Sequence, residues 1–382
     1  MDFTKEKPTD ILYVAKNIPT PTLPANRVIF TLAEYLHKFH QIDFIYPKEW
    51  VPFFLRKAEK YQHLVEMSDW NYKDMQVQVL KYIRLPLPQF ALILTRPWLS
   101  LPEMQRPYKF IHAHYVMPDA YISYLLSVKW GIPFGITVRN SDVLLLNHVR
   151  KNSHTWKMLI HALQNAAFLT CLNDATQKQI HAWTGRDARI IPHGIEKDFI
   201  LQQPPEYGET LNLISVGSLI HTKQVDWVVK AFQKIKTRYR VSLTIVGSGP
   251  EERTLKKLAQ GDPNIHFTGK IPKTKVIELL TKSQIFLLPS KSETYGLVYN
   301  EAAARHNAII GYKDQGPCGT FIEDKEMLFT NHFEDFCQKL EILVNNESLR
   351  NALAYQALMK VRQLKWEKIA QQYHELYSNH FQ

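Results

Sequence analysis

The sequence has little cysteine, with three residues among 382: Cys171, Cys318 and Cys337. They do not have the paired spacing of a zinc motif, and three thiols make no disulfide framework. The chain is therefore not a small domain held together by disulfides or zinc. Reduced thiols are also what we expect of a protein that stays in the cytoplasm.

Long apolar runs are absent as well. The longest, at 90–94 and 285–288, are far shorter than the roughly 18–20 residues that cross a bilayer. The N-terminus carries Asp2, Lys5 and Glu6 where a signal peptide is apolar. The sequence therefore predicts no transmembrane segment and a cytoplasmic location, with the inner face of the plasma membrane as a place of contact.

The sequence contains no dense basic block and no RNA-binding motif, although its net charge is +11. A hydrophobic fraction of 45% and a charged fraction of 22% exclude a disordered chain. Because the positive charge is spread out, we expect anionic partners such as nucleotides, phosphates or acidic lipids. We expect no nucleic acid.

Short β-type runs alternate with helical stretches along both halves of the chain, and the first half includes a predicted helix over 28–40 and a strand over 44–46. A proline-containing linker separates the halves at 200–210. This alternation predicts an α/β protein with two doubly wound domains, at 1–203 and 204–365, and a final helix at 366–382. Open parallel sheets bind ligands at the carboxyl ends of their strands, which predicts a site in a cleft between the domains.

The most informative segment runs from Pro289 to Glu301. A buried strand ends at Ser290, a short loop carries Glu293, and a helix begins near Gly296. Backbone N–H groups at such a helix start favour phosphate, and carboxylates beside it suit sugar hydroxyls. The competing interpretation is that Glu293 is a loop charge and Glu301 lies on a solvated helix face.

This segment resembles the retaining glycosyltransferases of family 4, which have a glutamate, an aromatic-glycine pair and a second glutamate eight residues after the first. Further segments resemble the family in the same order, at 216–223, 245–250, 264–269 and 366–377, and more weakly at 112–119, 137–142 and 191–195. The resemblance implies the GT-B fold. Two Rossmann-like domains would then face a central cleft, and the C-terminal helix would cross back to the first domain.

The resemblance also implies roles for individual residues. Glu301 would bind the ribose hydroxyls of a nucleotide diphosphate sugar, Glu293 the hydroxyls of the donated sugar, and Lys223 the diphosphate. His114 would lie at the sugar face, so the implied catalytic set is His114, Glu293 and Lys223. The other residues implied at the donor lie in two loops: Gly217, Ser218, Tyr295, Gly296 and Leu297.

Two of these assignments have plain alternatives. A lysine at a helix start is usually solvated, and its charge has the wrong sign for the helix dipole there. His114 is also compatible with a hydrogen-bonded core histidine beside His112.

The pair Gly247-x-Gly249 suggests a dinucleotide fingerprint, but Glu251 and Glu252 would repel a pyrophosphate at that helix start. The chain has no Asp-x-Asp pair of the kind that often holds a diphosphate through a metal ion. We therefore expect no metal and no cofactor, with Lys223 and the helix start stabilising the leaving group.

The chain departs from the family pattern at several positions. Ser218 stands where an arginine is usual, and Arg139 stands where a histidine is usual. We expect Arg139 to reach across the cleft and supply the lost positive charge to the donor. The loop at 19–27 is rich in proline and lacks glycine, and His306 stands where a glycine is common.

The sequence thus predicts a glycosyltransferase that uses a UDP- or GDP-linked sugar and retains the anomeric configuration. The acceptor would be a glycan or lipid-linked glycan bound to the first domain, in bacterial surface polysaccharide synthesis. The aromatic and basic segment at 50–57, together with Lys48, would contact an anionic membrane, or alternatively pack on its own domain. A nucleotide-sugar epimerase and a non-catalytic GT-B subunit are the alternative functions.

Overall fold

The structure is a computed structural model that describes residues 9–22, 27–51, 57, 67–82, 102–104, 106–293 and 295–381. The chain divides into two compact units. The first comprises Met1–Pro192 and Glu367–Gln382, and the second comprises His193–Trp366. Each unit is an α/β domain with one largely parallel sheet.

The division falls before the predicted linker because residues 193–203 pack on the second unit. Ile195 and Phe199 belong to a core cluster of that unit, together with Ile214 of its sheet. The Ile195 N–H also donates to the carbonyl of Leu364, with an N–O distance of 2.7 Å. The prolines at 204 and 205 therefore follow the boundary rather than mark it.

In the first unit, the described residues form an eight-stranded sheet in the order β3-β4-β2-β1-β5-β6-β7-β8. The strands are β1 (Thr9–Val14), β2 (His40–Glu49), β3 (Trp70–Tyr72), β4 (Met75–Tyr82), β5 (Phe110–Ala113), β6 (Phe134–Val138), β7 (Phe168–Cys171) and β8 (Arg189–Ile190). β1 pairs in parallel with both β2 and β5, so the strand order reverses between β1 and β5.

The α-helices that accompany this sheet in the described ranges between residues 27 and 192 are α1 (Val28–Leu36), α2 (Tyr121–Trp130), α3 (Asn140–His148), α4 (His154–Asn165) and α5 (Asp174–Thr184). β5, β6 and β7 are buried at every position, as expected for parallel strands covered on both faces. Leu126 of α2 and Leu159 of α4 pack with Ile111 and Ile136 of the sheet in one hydrophobic cluster.

The second unit contains a six-stranded parallel sheet in the order β11-β10-β9-β12-β13-β14. Its strands are β9 (Leu211–Val216), β10 (Val241–Val246), β11 (Ile265–Gly269), β12 (Ile285–Leu288), β13 (Ala308–Tyr312) and β14 (Leu328–Thr330). Its helices are α6 (Val225–Lys234), α7 (Glu252–Leu258), α8 (Lys273–Lys282), α9 (Leu297–Ala304), α10 (Phe333–Asn345) and α11 (Glu347–Val361). The order reverses between β9 and β12, which is the point where such sheets bind ligands.

The last helix, α12 (Trp366–Ser378), belongs to the first unit from Glu367 onward. Its apolar stripe is buried, and the hydroxyl oxygens of Tyr377 and Tyr13 lie 2.8 Å apart. This contact joins the helix to β1, so the expected return of the chain to the first domain is confirmed.

Three elements differ from the sequence prediction. The helix expected over 28–40 ends at Leu36, and β2 already begins at His40, because His40 pairs with Thr9 in the parallel ladder. An unpredicted hairpin, β3–β4, turns at Lys73, which adopts the left-handed region at φ 56°. The short strand β14 was also not predicted.

Part of the predicted membrane-contacting segment, at 52–56, lies outside the described residues, as do residues 23–26 of the proline-rich loop. Lys48 is buried, with 5% of its surface exposed, and its Nζ donates to the Met67 carbonyl at 2.7 Å. The prediction that Lys48 contributes to an exposed basic surface is therefore wrong. Among the helices that the structure describes, none is long and apolar enough to cross a membrane.

Candidate active site

The loops that follow β9 and β12 meet at the switch point of the second sheet. The Lys291 N–H donates to the Thr222 carbonyl at 2.9 Å, and this bond joins the two loops. The Gly217 N–H donates to the Val246 carbonyl at 3.0 Å, which joins the first loop to β10. Gly217, Ser218 and Lys223 therefore lie at the edge of the sheet where a ligand is expected.

Two glycines allow the loops after β9 and β10 to pack closely. Gly247 has φ 136°, and a Cβ atom there would overlap the Gly217 carbonyl oxygen. A Cβ atom at Gly249 would overlap the Leu219 carbonyl. Loop packing thus accounts for the Gly-x-Gly pair without a dinucleotide. A Cβ atom at Gly217 itself would meet Leu288 at an ordinary 3.8 Å, so Gly217 is not forced by these neighbours.

Lys223 and Glu293 come together at this edge. The Lys223 ammonium donates to Glu293 Oε1, and the two side chains are 17% and 11% exposed. The backbone of Glu293 is fixed on both sides, because its N–H donates to Gln315 Oε1 at 3.1 Å and its carbonyl accepts from the Gly316 N–H at 3.1 Å. Both predicted charges are therefore held in one place by the loop after β12.

The helix start predicted beside Glu293 is present as the first turn of α9. Gly296 precedes the helix at φ 77°, and a Cβ atom there would approach the Tyr299 ring at 2.5 Å. Within the described ranges, the N–H groups of Gly296 and Leu297 donate no hydrogen bond to another residue. Such donors at a helix start form an anion-binding position.

Tyr295 is buried and forms contacts within the second unit. Its hydroxyl donates to the His193 carbonyl at 3.4 Å and accepts from Asn300 Nδ2 at 3.1 Å, and its ring contacts the His193 ring. These contacts fix the loop that carries Glu293. A direct contact of Tyr295 with a donor stays a prediction.

Glu301 lies on α9 in a mostly buried position. Burial raises the pKa of its carboxyl to about 7. The positive charge of Lys273 lowers this pKa to a smaller extent, and the negative charge of Glu196 raises it. Lys273 itself pairs with Glu196 at 2.7 Å. Among the described residues no donor reaches the Glu301 carboxylate, so its oxygens are available to accept from hydroxyl groups.

His114 and Arg139 come together at the corresponding edge of the first sheet. His114 directly follows β5 and is fully buried, and its ring lies 4.4 Å from the Tyr13 ring. Arg139 directly follows β6, and its Nε donates to the His114 carbonyl at 2.9 Å. Its guanidinium also lies 5.0 Å from the centre of the Tyr115 ring. These are contacts within the first unit, and a contact of Arg139 with the donor stays a prediction.

His112 is a hydrogen-bonded core histidine. Its Nδ1 lies 2.6 Å from the Tyr377 hydroxyl, and its Nε2 lies 2.8 Å from Thr137 Oγ1. Burial lowers its pKa to about 3, with a further contribution from Arg139, so the imidazole is neutral. The core-histidine alternative concerned its neighbour His114, whose role at the sugar face stays a prediction.

Two buried carboxylates in the segments that follow β5 and β6 were not predicted as site residues. Asp119 accepts from the Lys16 N–H at 3.1 Å, and burial raises its pKa well above the usual range. Asp142 accepts from the N–H groups of Val116 and Arg139, and burial raises its pKa to about 7. Asp119 and Asp142 both lie in segments that resemble the family, and this resemblance was the sequence signal that could have identified them as site residues.

A polar cluster at the same edge was also missed. Lys16 Nζ lies 3.1 Å from Glu49 Oε1 and 3.2 Å from the Tyr82 hydroxyl, and this hydroxyl donates to Glu49 at 3.1 Å. The three residues follow or end β1, β2 and β4, so only the strand order brings them together.

No group of three or more His, Cys, Asp or Glu side chains that could hold a metal ion occurs in the described part of the chain. At the position expected for the diphosphate, the Lys223 ammonium pairs with the Glu293 carboxylate.

Comparison with known proteins agrees with the fold and the motifs. The family model "Glycosyl transferases group 1" matches residues 196–359, and "Glycosyltransferase Family 4" matches residues 25–199. N-acetyl-alpha-D-glucosaminyl L-malate synthase of Bacillus anthracis is 26% identical over 91% of this chain and 90% of its own. An uncharacterized glycosyltransferase of Methanocaldococcus jannaschii is 26% identical over 68% and 72%.

A capsular polysaccharide biosynthesis glycosyltransferase of Staphylococcus aureus, CapM, is 24% identical over 41% of this chain and 44% of its own. Among solved structures, Anabaena HepE in complex with UDP superposes with a TM-score of 0.70 at 13% identity. The match covers 97% of this chain and 100% of the HepE chain. At this identity the structural match shows the fold alone.

Two Rossmann-like units are the domains of the GT-B fold, which this chain shares with the solved structures that it matches. The chain belongs to the family 4 glycosyltransferases and contains a group 1 glycosyl transferase domain, so it is a transferase.

Proposed function

We propose that this protein transfers a sugar from a nucleotide diphosphate sugar to a glycan or lipid-linked glycan and retains the anomeric configuration. One observation carries the proposal: Lys223, Glu293 and the N–H groups at the start of α9 converge at one switch point. A cation and a helix start suit a diphosphate, and a carboxylate suits sugar hydroxyls.

In the proposed reaction, the acceptor hydroxyl attacks the anomeric carbon on the face from which the diphosphate departs. The carbon–oxygen bond to the diphosphate breaks, and a phosphate oxygen receives the acceptor proton. Lys223 and the N–H groups of Gly296 and Leu297 stabilise the charge that develops on the leaving group. No side-chain nucleophile takes part, so the rate depends on positioning and electrostatics.

We propose a UDP-linked donor ahead of a GDP-linked one, bound without metal. HepE, which shares the fold, was solved with UDP. Calorimetric titration of UDP, GDP and ADP with and without EDTA tests this choice. Micromolar binding of UDP that EDTA leaves unchanged is the expected result. Binding of none of the three would favour a non-catalytic subunit instead.

Product analysis separates the transferase from its alternative on the same fold. A nucleotide-sugar epimerase changes the donor without a second substrate, whereas a transferase requires an acceptor. We expect the donor sugar to stay unchanged when no acceptor is present. When an acceptor is present, NMR should show the same anomeric configuration, axial or equatorial, in the donor and in the product linkage. An inverted linkage would contradict the retaining mechanism.

Arg139 is proposed as a further cation for the diphosphate. It replaces the charge that the family usually has at the position of Ser218, and it lies at the ligand edge of the first sheet. Arg139→Ala should raise the donor KM or lower kcat far more than Arg253→Ala, a change at an exposed position. Equal kinetics of the two variants would contradict this role.

The acceptor is proposed to bind the first unit, where Lys16, Glu49 and Tyr82 offer hydrogen-bonding groups at the strand ends. The CapM relative supports a bacterial surface polysaccharide as the product.

We further propose contact with an anionic membrane through the segment that contains Trp50, which is half-exposed, and Lys57, which is exposed. Lys57→Glu combined with Arg56→Glu should weaken sedimentation with phosphatidylglycerol vesicles; unchanged sedimentation would exclude this contact.

A further inference from the structure

A cavity of about 530 Å³ lies in the second unit, at the edge of the sheet opposite to the loops that carry Lys223 and Glu293. Leu211, Gln284 and His306 line it, at or just before the starts of β9, β12 and β13. Its volume is in the range of small-ligand sites. Because parallel sheets normally bind their ligands at the carboxyl ends of the strands, this cavity is not part of the donor site.

A nearly buried guanidinium forms one wall of the cavity. Arg350 is 7% exposed, and its Nη1 donates to the carbonyls of Leu343 and Val344 at 2.8 and 3.3 Å. In the described part of the chain, Nε has no hydrogen-bond partner. Buried donors are seldom left unpaired in native structures, so this guanidinium, which lines the cavity, has hydrogen-bonding capacity that the chain does not use.

Three tyrosines also line the cavity. They are Tyr207, Tyr239 and Tyr355, and Tyr355 is 48% exposed. The Tyr207 hydroxyl donates to the His306 carbonyl at 3.1 Å. His306 also lines the cavity, and it adopts φ 62°, a conformation that costs a residue with a side chain more than glycine.

We propose that this cavity is an accessory saccharide-binding site. The apolar face of a hexose ring packs on a tyrosine ring, and its hydroxyls bond to the Arg350 guanidinium, the Glu347 carboxylate and the Asn351 amide. This inference goes beyond the proposed function, because saccharide binding here requires neither a donor nor transfer.

The charge of the lining favours a saccharide over a nucleotide. Glu209 and Glu347 line the cavity together with Arg350, so the lining includes two acidic residues and one arginine. Glu347 interacts electrostatically with Arg350. A polyanion such as a nucleoside diphosphate would be repelled there, whereas a hydroxyl-rich ring finds both donors and acceptors.

Direct binding to the full-length protein tests the proposal. Maltohexaose serves as a neutral probe and tetragalacturonate as an acidic one, each titrated by calorimetry with and without saturating UDP. We expect saturable binding of at least one probe with a Kd of about 1 mM, unchanged by UDP. Tyr355→Ala should raise this Kd about fivefold without changing the melting temperature.

Ile342→Ala is the matched control, since Ile342 is also 48% exposed but does not line the cavity. It should leave the Kd unchanged. The proposal is overturned if neither probe binds at about 10 mM, if UDP competes with the probe, or if the two variants behave alike. Binding of UDP that Tyr355→Ala weakens would overturn it in favour of a nucleotide site. Because no turnover is measured, failure here is distinct from failure of the proposed transferase activity.

Discussion

Lys223 and Glu293 neutralise each other at the switch point of the second sheet. Both side chains are largely buried, so each has lost most of its hydration and depends on the other for compensation. A diphosphate that approaches the start of α9 would compete with Glu293 for the ammonium. Donor binding therefore exchanges one charge partner for another, which leaves the carboxylate to accept from sugar hydroxyls.

Lys223→Ala should lower kcat/KM for the donor by about 10–100-fold, because a charge-assisted hydrogen bond to the diphosphate is lost. Steady-state kinetics at varied donor concentration measures this. Lys230→Ala provides the control, since Lys230 is 45% exposed and pairs with Asp226 on the surface of α6. A loss of similar size in both variants would remove the assigned role of Lys223.

The raised pKa of Glu301 predicts opposite effects on stability and binding. Its pKa rises from an ordinary 4.5 to about 7 on folding. The stability that protonation contributes is therefore complete below pH 4.5 and is lost as the pH rises through 7. Donor binding to an accepting carboxylate should strengthen over the same range, so the Kd for UDP should fall between pH 6 and pH 8.

Glu301→Gln should remove both pH dependences. The difference in unfolding free energy between this variant and the parent protein should shift by about 1–3 kcal/mol in favour of the variant from pH 5 to pH 8. At pH 8 the variant should also bind UDP more weakly than the parent. Chemical denaturation at the two pH values measures the first effect. Glu334→Gln, at a 77% exposed side chain, should show neither. A parallel stability profile for Glu301→Gln and the parent would argue against a buried carboxylate.

At the scale of elements, the start of α12 depends on one glycine. A Cβ atom at Gly194 would overlap the Trp366 ring, whereas a Cβ atom at Gly208 would meet no atom within 4 Å. Gly194→Ala should therefore destabilise the protein by about 1–3 kcal/mol, and Gly208→Ala should not. Thermal unfolding of the two variants provides the comparison. Equal melting temperatures would mean that the Trp366 ring shifts without cost.

The sequence predicted regular elements well where apolar periodicity and helix signals coincide. Strand β12 and helices α8 and α11 have the predicted bounds. The β3–β4 hairpin was missed although Met75, Val77 and Val79 alternate with glutamines, because Lys73 stands where a turn signal such as glycine or asparagine is usual. Helix α1 ends earlier than predicted because β2 already begins at His40, which pairs with Thr9. Such pairing between distant strands is not visible in the local sequence.

Some residues of the candidate site could likewise be predicted from the sequence, and others could not. Glu293, Gly296 and Glu301 lie in one continuous segment, so their motif was visible in the sequence. By contrast, the contact between Lys16, Glu49 and Tyr82 joins three strand ends that are neighbours only through the order of the sheet. Long-range topology determined such contacts, and no spacing in the sequence encodes them directly.

For the whole molecule, the division into two units predicts that local changes should be felt unit by unit. Tyr377→Phe removes a hydroxyl that contacts Tyr13 and His112 in the first unit. Because it leaves buried polar groups without that partner, it should cost about 1–3 kcal/mol. Hydrogen exchange by mass spectrometry should therefore show faster exchange in β1 and β5, while β9 and β12 keep their rates.

UDP should have the complementary effect on the same map, since its proposed contacts lie in the second unit. Exchange should slow at 217–223 and 295–301 and stay unchanged in β1 and β5. Tyr355→Phe controls for loss of a tyrosine hydroxyl, because Tyr355 is half-exposed. If Tyr377→Phe accelerates exchange equally across all strands, the two units unfold as one cooperative body, and a mutation in either would then weaken donor binding through global stability alone.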